Sequence, residues 1–298
     1  MLTLTDRDKQ IFRTMAACAG LTATHVSTLS FPPTHVHGQL VVHSNCQYRL
    51  KLLRDAGYIR RIERYQLLSE GKKAYLYAIT RKGANAVADW LGCEIEDLDW
   101  RQTDVRLHAA YIEHLILTND VRVAIMKAAQ NTPGLRLKMW TDEVDLKRIH
   151  STDKMKITSA QGKTQTAILV PDAYFVLHID GQEDKHFFLE IDRATETGFS
   201  SDESRRTWTR KILAYLEYYK RNGFYQQRYG TRKGRVLTVT TSDLRLGNLK
   251  RISEEAGGRQ RFWFTTFKRV LPDTILATPI WELAQAEHTH ALLGRDEE

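Results

Sequence analysis

Within the first eighty residues the spacing of apolar side chains changes from the 3.6-residue period of a helix to the two-residue period of a strand. That order restricts the fold more than any other feature of the chain. Thr5-Asp6-Arg7-Asp8 sets a hydroxyl three residues before a carboxylate, and Ile11, Phe12, Met15 and Ala19 follow at helical spacing, so a first helix is expected to end at Gly20. Thr22 is the next cap, with Val26 and Leu29 on the inner side of a short second helix that Phe31-Pro32-Pro33 stops. Residues 34–43 read as an insertion or long turn. Ser44 is then expected to cap a third helix with Tyr48, Leu52 and Leu53 turned inward and Asn45, Gln47, Arg49, Lys51 and Arg54 turned outward, closed by Gly57. Residues 58–65 alternate like a strand, 69–73 turn, 74–79 return as a hairpin partner, and Thr80 caps a further helix to Trp90.

Charge follows the same division. Of the formal +8, residues 1–92 carry 13 lysines and arginines against 6 acids, whereas the remainder carries 31 against 30. Three helices, a two-stranded basic hairpin and a concentrated positive charge are the order and electrostatics of a winged helix-turn-helix, in which the third helix enters the major groove. On that reading Ser44, Asn45, Gln47, Arg49, Lys51 and Arg54 face double-stranded DNA from the helix, and Arg60, Arg61, Arg64, Lys72 and Lys73 hold phosphates from the hairpin. The alternative is a helical domain whose basic face only keeps it in solution.

Residues 93–132 form the next segment, a helical connector or dimerisation element, with a break expected at Thr118-Asn119-Asp120. Residues 133–298 read as an α/β domain. Strands of a core sheet are expected at 135–140, 166–170, 173–179 and 186–191, a long helix at 203–221, further strands at 236–240 and 262–265, and a frayed tail beyond Leu293. With 42% apolar and 27% charged residues, collagen-like, coiled-coil and disordered chains are excluded. The chain has no apolar run of membrane-spanning length, and its charged N-terminus lacks a signal-peptide pattern, so a cytoplasmic protein with no membrane partner is expected. Cys18, Cys46 and Cys93 match neither a disulfide framework nor a zinc pair and are expected to be small buried side chains. His35, His37 and His43 near Cys46 match no closed zinc spacing. Walker-lysine and GxSxG motifs are absent.

The α/β part gathers acids at strand ends: Glu143, Asp172 after Pro171, and Glu190-Ile191-Asp192, where alternation puts Glu190 and Asp192 on one face. Asp172 and Glu190 are candidate ligands for Mg²⁺ or Mn²⁺, which take hard oxygen donors. The arrangement resembles the PD-(D/E)xK nuclease core. That resemblance implies catalytic roles for Asp172, Glu190 and the position two residues later, but Asp192 stands where the pattern has lysine, and Lys211 on the next helix is the substitute. The competing expectation is a degenerate site held by hydrogen bonds to Thr195, Arg193 or Arg210. Basic and aromatic residues between Arg205 and Arg235 suit either a nucleic-acid surface or a buried tyrosine face on a helix coated with arginines. For the loop 228–235 phosphate contact is favoured.

Leu-Arg-Asp-Ala-Gly-Tyr-Ile (53–59), Tyr-Leu-Tyr-Ala-Ile-Thr-Arg-Lys-Gly (75–83), the helix with His108 and Asn119-Asp120-Val121, Val-Pro-Asp-Ala-Tyr-Phe (170–175) and Phe-Leu-Glu-Ile-Asp-Arg-Ala-Thr-Glu (188–196), with Lys211 and Tyr215 downstream, resemble the replication-relaxation family over about residues 5 to 281. The resemblance implies a bacterial protein of plasmids and other mobile elements. The expected function is sequence-specific DNA binding, as a homodimer, in replication, mobilisation or transcriptional control. The alternatives are a Mg²⁺- or Mn²⁺-dependent endonuclease using Asp172, Glu190 and Lys211, and a scaffold that binds a replication or conjugation protein.

Overall fold

A computed structural model describes residues 2–36, 39–64, 73–98, 100, 109–159, 162, 164–193, 201–220 and 223–294, with the side chains of 39–40 and 201–206 excepted. The chain is of the α/β class and separates into two compact units, Met1–Val123 and Ala124–Glu298.

In the first unit, α1 (Asp6–Ala17) starts from Thr5, whose hydroxyl accepts from Asp8 N while the Asp8 carboxylate accepts from Thr5 N. After β1 (Leu21–Thr22), Thr22 caps α2 (Ala23–Ser30). The stretch read as an insertion or long turn is an antiparallel pair, β2 (Thr34–Val36) with β3 (Gln39–Val41), inserted between α2 and α3 (Ser44–Asp55). A hairpin of β4 (Ile59–Ile62) and β5 (Leu76–Ile79) follows, and β1 completes its sheet in the order β1-β5-β4. Thr80 then caps α4 (Arg81–Leu91), which Gly92 ends in the left-handed conformation. Ile11, Phe12, Met15, Leu21, Val26, Leu50, Leu53, Ile59, Ile79 and Val87 make one buried core.

The helix α5 (Ala109–Asn131) runs unbroken through Thr118-Asn119-Asp120. These polar residues read as a break because their tertiary partners are invisible in the sequence. Asn119 donates to Cys18 O and Gly20 O at 3.0 and 2.9 Å, Arg122 donates to Ala17 O at 2.7 Å, and Asp120 meets the His25 ring at 2.6 Å. Ile112 and Ile116, lower on the same helix, bury Ile62, Leu76 and Ala78 of the hairpin. The first half of α5 is thus part of the first unit.

The second unit is built on a seven-stranded mixed sheet in the order β14-β13-β12-β11-β10-β9-β6. Its strands are β6 (Leu135–Asp142), β9 (Ala173–Ile179), β10 (Lys185–Ile191), β11 (Arg235–Thr240), β12 (Phe262–Thr266), β13 (Trp281–Leu283) and β14 (Thr289–His290). Strands β10, β11 and β12 are parallel, joined by crossovers through α7 (Ser201–Tyr218) with α8 (Phe224–Tyr229), and through α9 (Asp243–Glu255). One sheet face, with Tyr174, Val176 and Phe188, packs on Ile212, Tyr215 and Tyr218 of α7, Tyr225 of α8, and Leu246 and Leu249 of α9. The tyrosines therefore line the buried side of α7. The segment α6 (Glu143–Ile149) follows β6. Residues 166–170 do not join the main sheet. β8 (Thr164–Ala167) pairs with β7 (Met155–Thr158) in a separate ribbon, and of its four residues only Ala167 is fully buried. Among the described residues no helix is long and apolar enough to cross a membrane.

Asn119 is buried with both amide hydrogens in use, so Asn119→Leu leaves the carbonyls of Cys18 and Gly20 without that donor. Urea unfolding should show a loss of about 2–3 kcal/mol, the cost of stranding buried acceptors.

Candidate functional site

In α3 the buried positions are Cys46, Leu50 and Leu53, and they fix which face is inside. Ser44, Asn45, Gln47, Tyr48 and Lys51 are exposed on the remaining surface. Tyr48 corrects the expectation of an inward side chain: it lies about 200° around the helix from Cys46, at 100° per residue, and is 64% exposed. The N-cap also differs. His43, not Ser44, takes the role, its ring accepting from Asn45 N while its own N–H donates to Ser27 Oγ.

Arg49 is not an outward tip. Its Nε donates to Asp8 Oδ1 at 2.8 Å, and its Nη2 donates to Asp8 Oδ2 and to Thr3 O. Asp8 is buried, which opposes its charge, but Arg49 and the Thr5 hydroxyl and amide outweigh that and hold its carboxyl below the ordinary range. Other predicted basic residues are also engaged within the protein. Arg54 donates twice to Asp55, and Arg61 pairs with Glu63 and lies over the Tyr75 ring at 4.1 Å. Arg64 holds both oxygens of Glu113, which also lies 3.7 Å from Lys73. Arg60 is half-buried, and its Nε and Nη2 meet no hydrogen-bond partner among the described residues. Lys72 lies outside the described residues.

In the second unit Glu190, near the C-terminal end of β10, is 1% exposed. One carboxylate oxygen accepts from Tyr215 OH at 2.5 Å and the other from Lys211 Nζ, both on α7. Burial pushes the Glu190 carboxyl up to about 7, against the pull of Lys211. Burial likewise disfavours the Lys211 charge, but Glu190 and Asp172 overcome it and lift the lysine above its ordinary range. Asp172 accepts from Ile191 N at 2.6 Å. Asp192, although on the same strand face as Glu190, is turned to a different partner: Arg245 of α9 grips both its oxygens at 3.0 and 2.8 Å, and Thr240 donates at 2.6 Å. Arg210 donates to Thr166 O, and Thr195 lies outside the described residues. Glu143 pairs with Lys147.

The donor set is right for a hard divalent ion, and carboxylate oxygens of Glu143 and Asp172 lie within 4.8 Å of each other, but Glu190 and Asp192 are not open to one. Both oxygens of Glu190 and both of Asp192 are committed to protein donors, and the Lys211 ammonium stands beside Glu190 as its counter-cation. What this geometry does chemically is neutralise a buried carboxylate while tying α7 to β10. Arg245 and Thr240, which sit beyond the acidic motif, could not be found from local spacing.

Removing Lys211, whose side chain is 31% exposed, strands the buried Glu190 carboxylate and should cost far more than removing both charges. Lys211→Met is expected to lower stability by about 3–5 kcal/mol, and the Glu190→Gln/Lys211→Met pair by much less, as read by urea unfolding. For Asp8 the folded pKa is depressed, so its contribution is present above the ordinary value of 3.8 and is lost as pH falls below it. Asp8→Asn should therefore weaken the protein at pH 7 and flatten the acid limb of a stability–pH curve.

No curated protein matches the chain, and no solved structure does. The model of the replication-relaxation family matches residues 12–234, a span that begins in α1, takes in Asp172, Glu190 and Lys211, and stops just before β11. The chain belongs to the replication-relaxation family.

Proposed function

We propose that the first unit is a winged helix-turn-helix that binds double-stranded DNA sequence-specifically, and that the protein serves replication or mobilisation of a plasmid or other mobile element. The observation that carries this reading is the face of α3: Ser44, Asn45, Gln47, Tyr48 and Lys51 are exposed together, opposite Cys46, Leu50 and Leu53. Amide, hydroxyl, phenol and ammonium groups on one helical face match the donor and acceptor edges and methyl groups of the major groove. The element order α1-β1-α2-α3-β4-β5 and the sheet order β1-β5-β4 support the winged form, with β2 and β3 as an insertion. The family's name and the positive charge of residues 1–92 support a nucleic-acid partner.

In this proposal Gln47 and Asn45 read adenine, Tyr48 packs on thymine methyls, and Lys51 takes a guanine or a phosphate. Arg61 exchanges the exposed Glu63 for a phosphate, Arg60 and Lys73 add to the backbone contacts, and Arg49 acts from inside by fixing α3 on α1. The second unit, whose acids and α7 lysine resemble a PD-(D/E)xK core, serves as a scaffold that positions DNA or a replication partner. Asp192, gripped by Arg245, is withdrawn from that core.

Fluorescence anisotropy with duplexes from the gene's own flanks tests this. Gln47→Ala should relax discrimination between cognate and random duplexes by about 1–3 kcal/mol, and Lys73→Ala should weaken both alike. The log–log salt slope is expected near −4 if four or five phosphates are neutralised, at about 0.9 each. Equal losses from both substitutions on both duplexes would contradict the assignment.

A further inference from the structure

The solvent face of α3 continues into a flank. At about 100° per residue, Gln47, Lys51 and Ser44 lie roughly 100–160° around the helix from Cys46, and Leu52, Asn45 and Arg49 roughly 240–300°, with Tyr48 between the groups at about 200°. The second group faces the first turn of α1. Arg49 grips Asp8 there, while Asn45, Tyr48 and Leu52 line a cleft of about 250 Å³ that Arg7 and Phe31 line from the other side.

Phe31 closes α2. The proline after it disfavours helical backbone, and the extended conformation of Phe31 (φ −128°, ψ 156°) accompanies a ring that joins the core of the first unit and lies beside His43. The Arg7 guanidinium stands over that ring at 4.7 Å. A guanidinium held on an aromatic face is pre-organised, so it loses less freedom when its donors take an anion. Arg49, Arg54, Arg61 and Arg64 each hold an acid of the chain, but the exposed Arg7 has no ion pair or hydrogen bond among the described residues. Its neighbour Asp6 pairs with Lys9 instead. Arg7 is thus an uncommitted cation on a fixed seat, beside a cleft with the carbon surfaces of Phe31 and Leu52 in its walls.

With α3 in a major groove, the walls of that groove are sugar–phosphate strands, and a cleft on the flank of the helix stands against one of them. The chemistry matches such a strand: a cation for the phosphate and apolar carbon for the deoxyribose.

We propose that this cleft takes one sugar–phosphate unit of the DNA strand bordering the groove, with Arg7 holding the phosphate from its seat on Phe31 and Leu52 packing on the deoxyribose. The inference rests on the reading of α3 as the groove element. It adds to that reading a sequence-independent contact, separate from those of the hairpin, that sets the register of the helix in the groove.

The test uses the full chain, with fluorescein-labelled cognate and random duplexes followed by anisotropy. Arg7→Gln should weaken binding to both about tenfold and reduce the salt slope by about 1, leaving discrimination between them as it was. Arg13→Gln, which alters another exposed arginine of α1 that does not line the cleft, should have no such effect. Replacing single phosphates of the cognate duplex by neutral methylphosphonates locates the contact: at one position the change should weaken the wild-type protein about tenfold and leave Arg7→Gln unaffected. Wild-type affinity and slope in Arg7→Gln, or the absence of any phosphate coupled to Arg7, overturns the proposal. Loss of self-association in Arg7→Gln with DNA affinity unchanged gives the cleft to a second copy and overturns it too. The two readings fail separately: discrimination unchanged by Gln47→Ala sinks the reading of α3 and this one with it, whereas relaxed discrimination beside an inert Arg7→Gln sinks this one alone.

Discussion

The first unit depends on the ion pair between Asp8 and Arg49. Asp8 has two tasks that cannot be separated: its carboxylate closes the capping box of α1, and the same two oxygens receive the fork of Arg49 from α3. A guanidinium donating in parallel to a carboxylate fixes direction as well as distance. The rotation of α3 about its axis is therefore set from both sides, by Cys46, Leu50 and Leu53 in the core and by Arg49 at the flank. That rotation decides which residues meet solvent, and so which ones a groove could meet.

Buried polar groups repeat this logic elsewhere. Asn119 and Arg122 on α5 satisfy the backbone carbonyls where α1 ends, and the Asp120 carboxylate meets the His25 ring of α2. In the second unit Tyr215 and Lys211 satisfy Glu190, while Arg228 and Tyr218 satisfy the buried Asp153. Each of these groups would cost several kcal/mol if stranded, so each fixes the relation of one element to its neighbour within its unit. The acidic residues that look catalytic in sequence are, in this respect, of a kind with Asp153, which has no catalytic pattern.

What the sequence made legible followed from local rules. Thr5, Thr22 and Thr80 cap helices because a side-chain oxygen can reach an amide two or three residues on. The strands β9, β10, β11 and β12 are legible as segments rich in β-branched and aromatic residues, and most of their positions are buried. What stayed hidden was set by distant partners. The Asn119-Asp120 pair looks like a helix breaker until Cys18, Gly20 and His25 are beside it, and Arg49 looks like a surface base reader until Asp8 is found 41 positions away. Tyr48 reads as a core residue by its hydrophobicity, but its angle from Cys46 turns it to the surface. Convergence of Glu190 with Lys211 was legible from the family motif, whereas the capture of Asp192 by Arg245 was not.

The claim that α3 is the surface that meets DNA is tested most directly by hydroxyl-radical footprinting of Tyr48. Tyr48 is 64% exposed, whereas Tyr111 on α5 is 36% exposed and serves as the internal reference. Adding cognate duplex should suppress oxidation at Tyr48 and leave Tyr111 unchanged. Equal oxidation of Tyr48 with and without duplex, under conditions where the duplex is bound, would contradict the account.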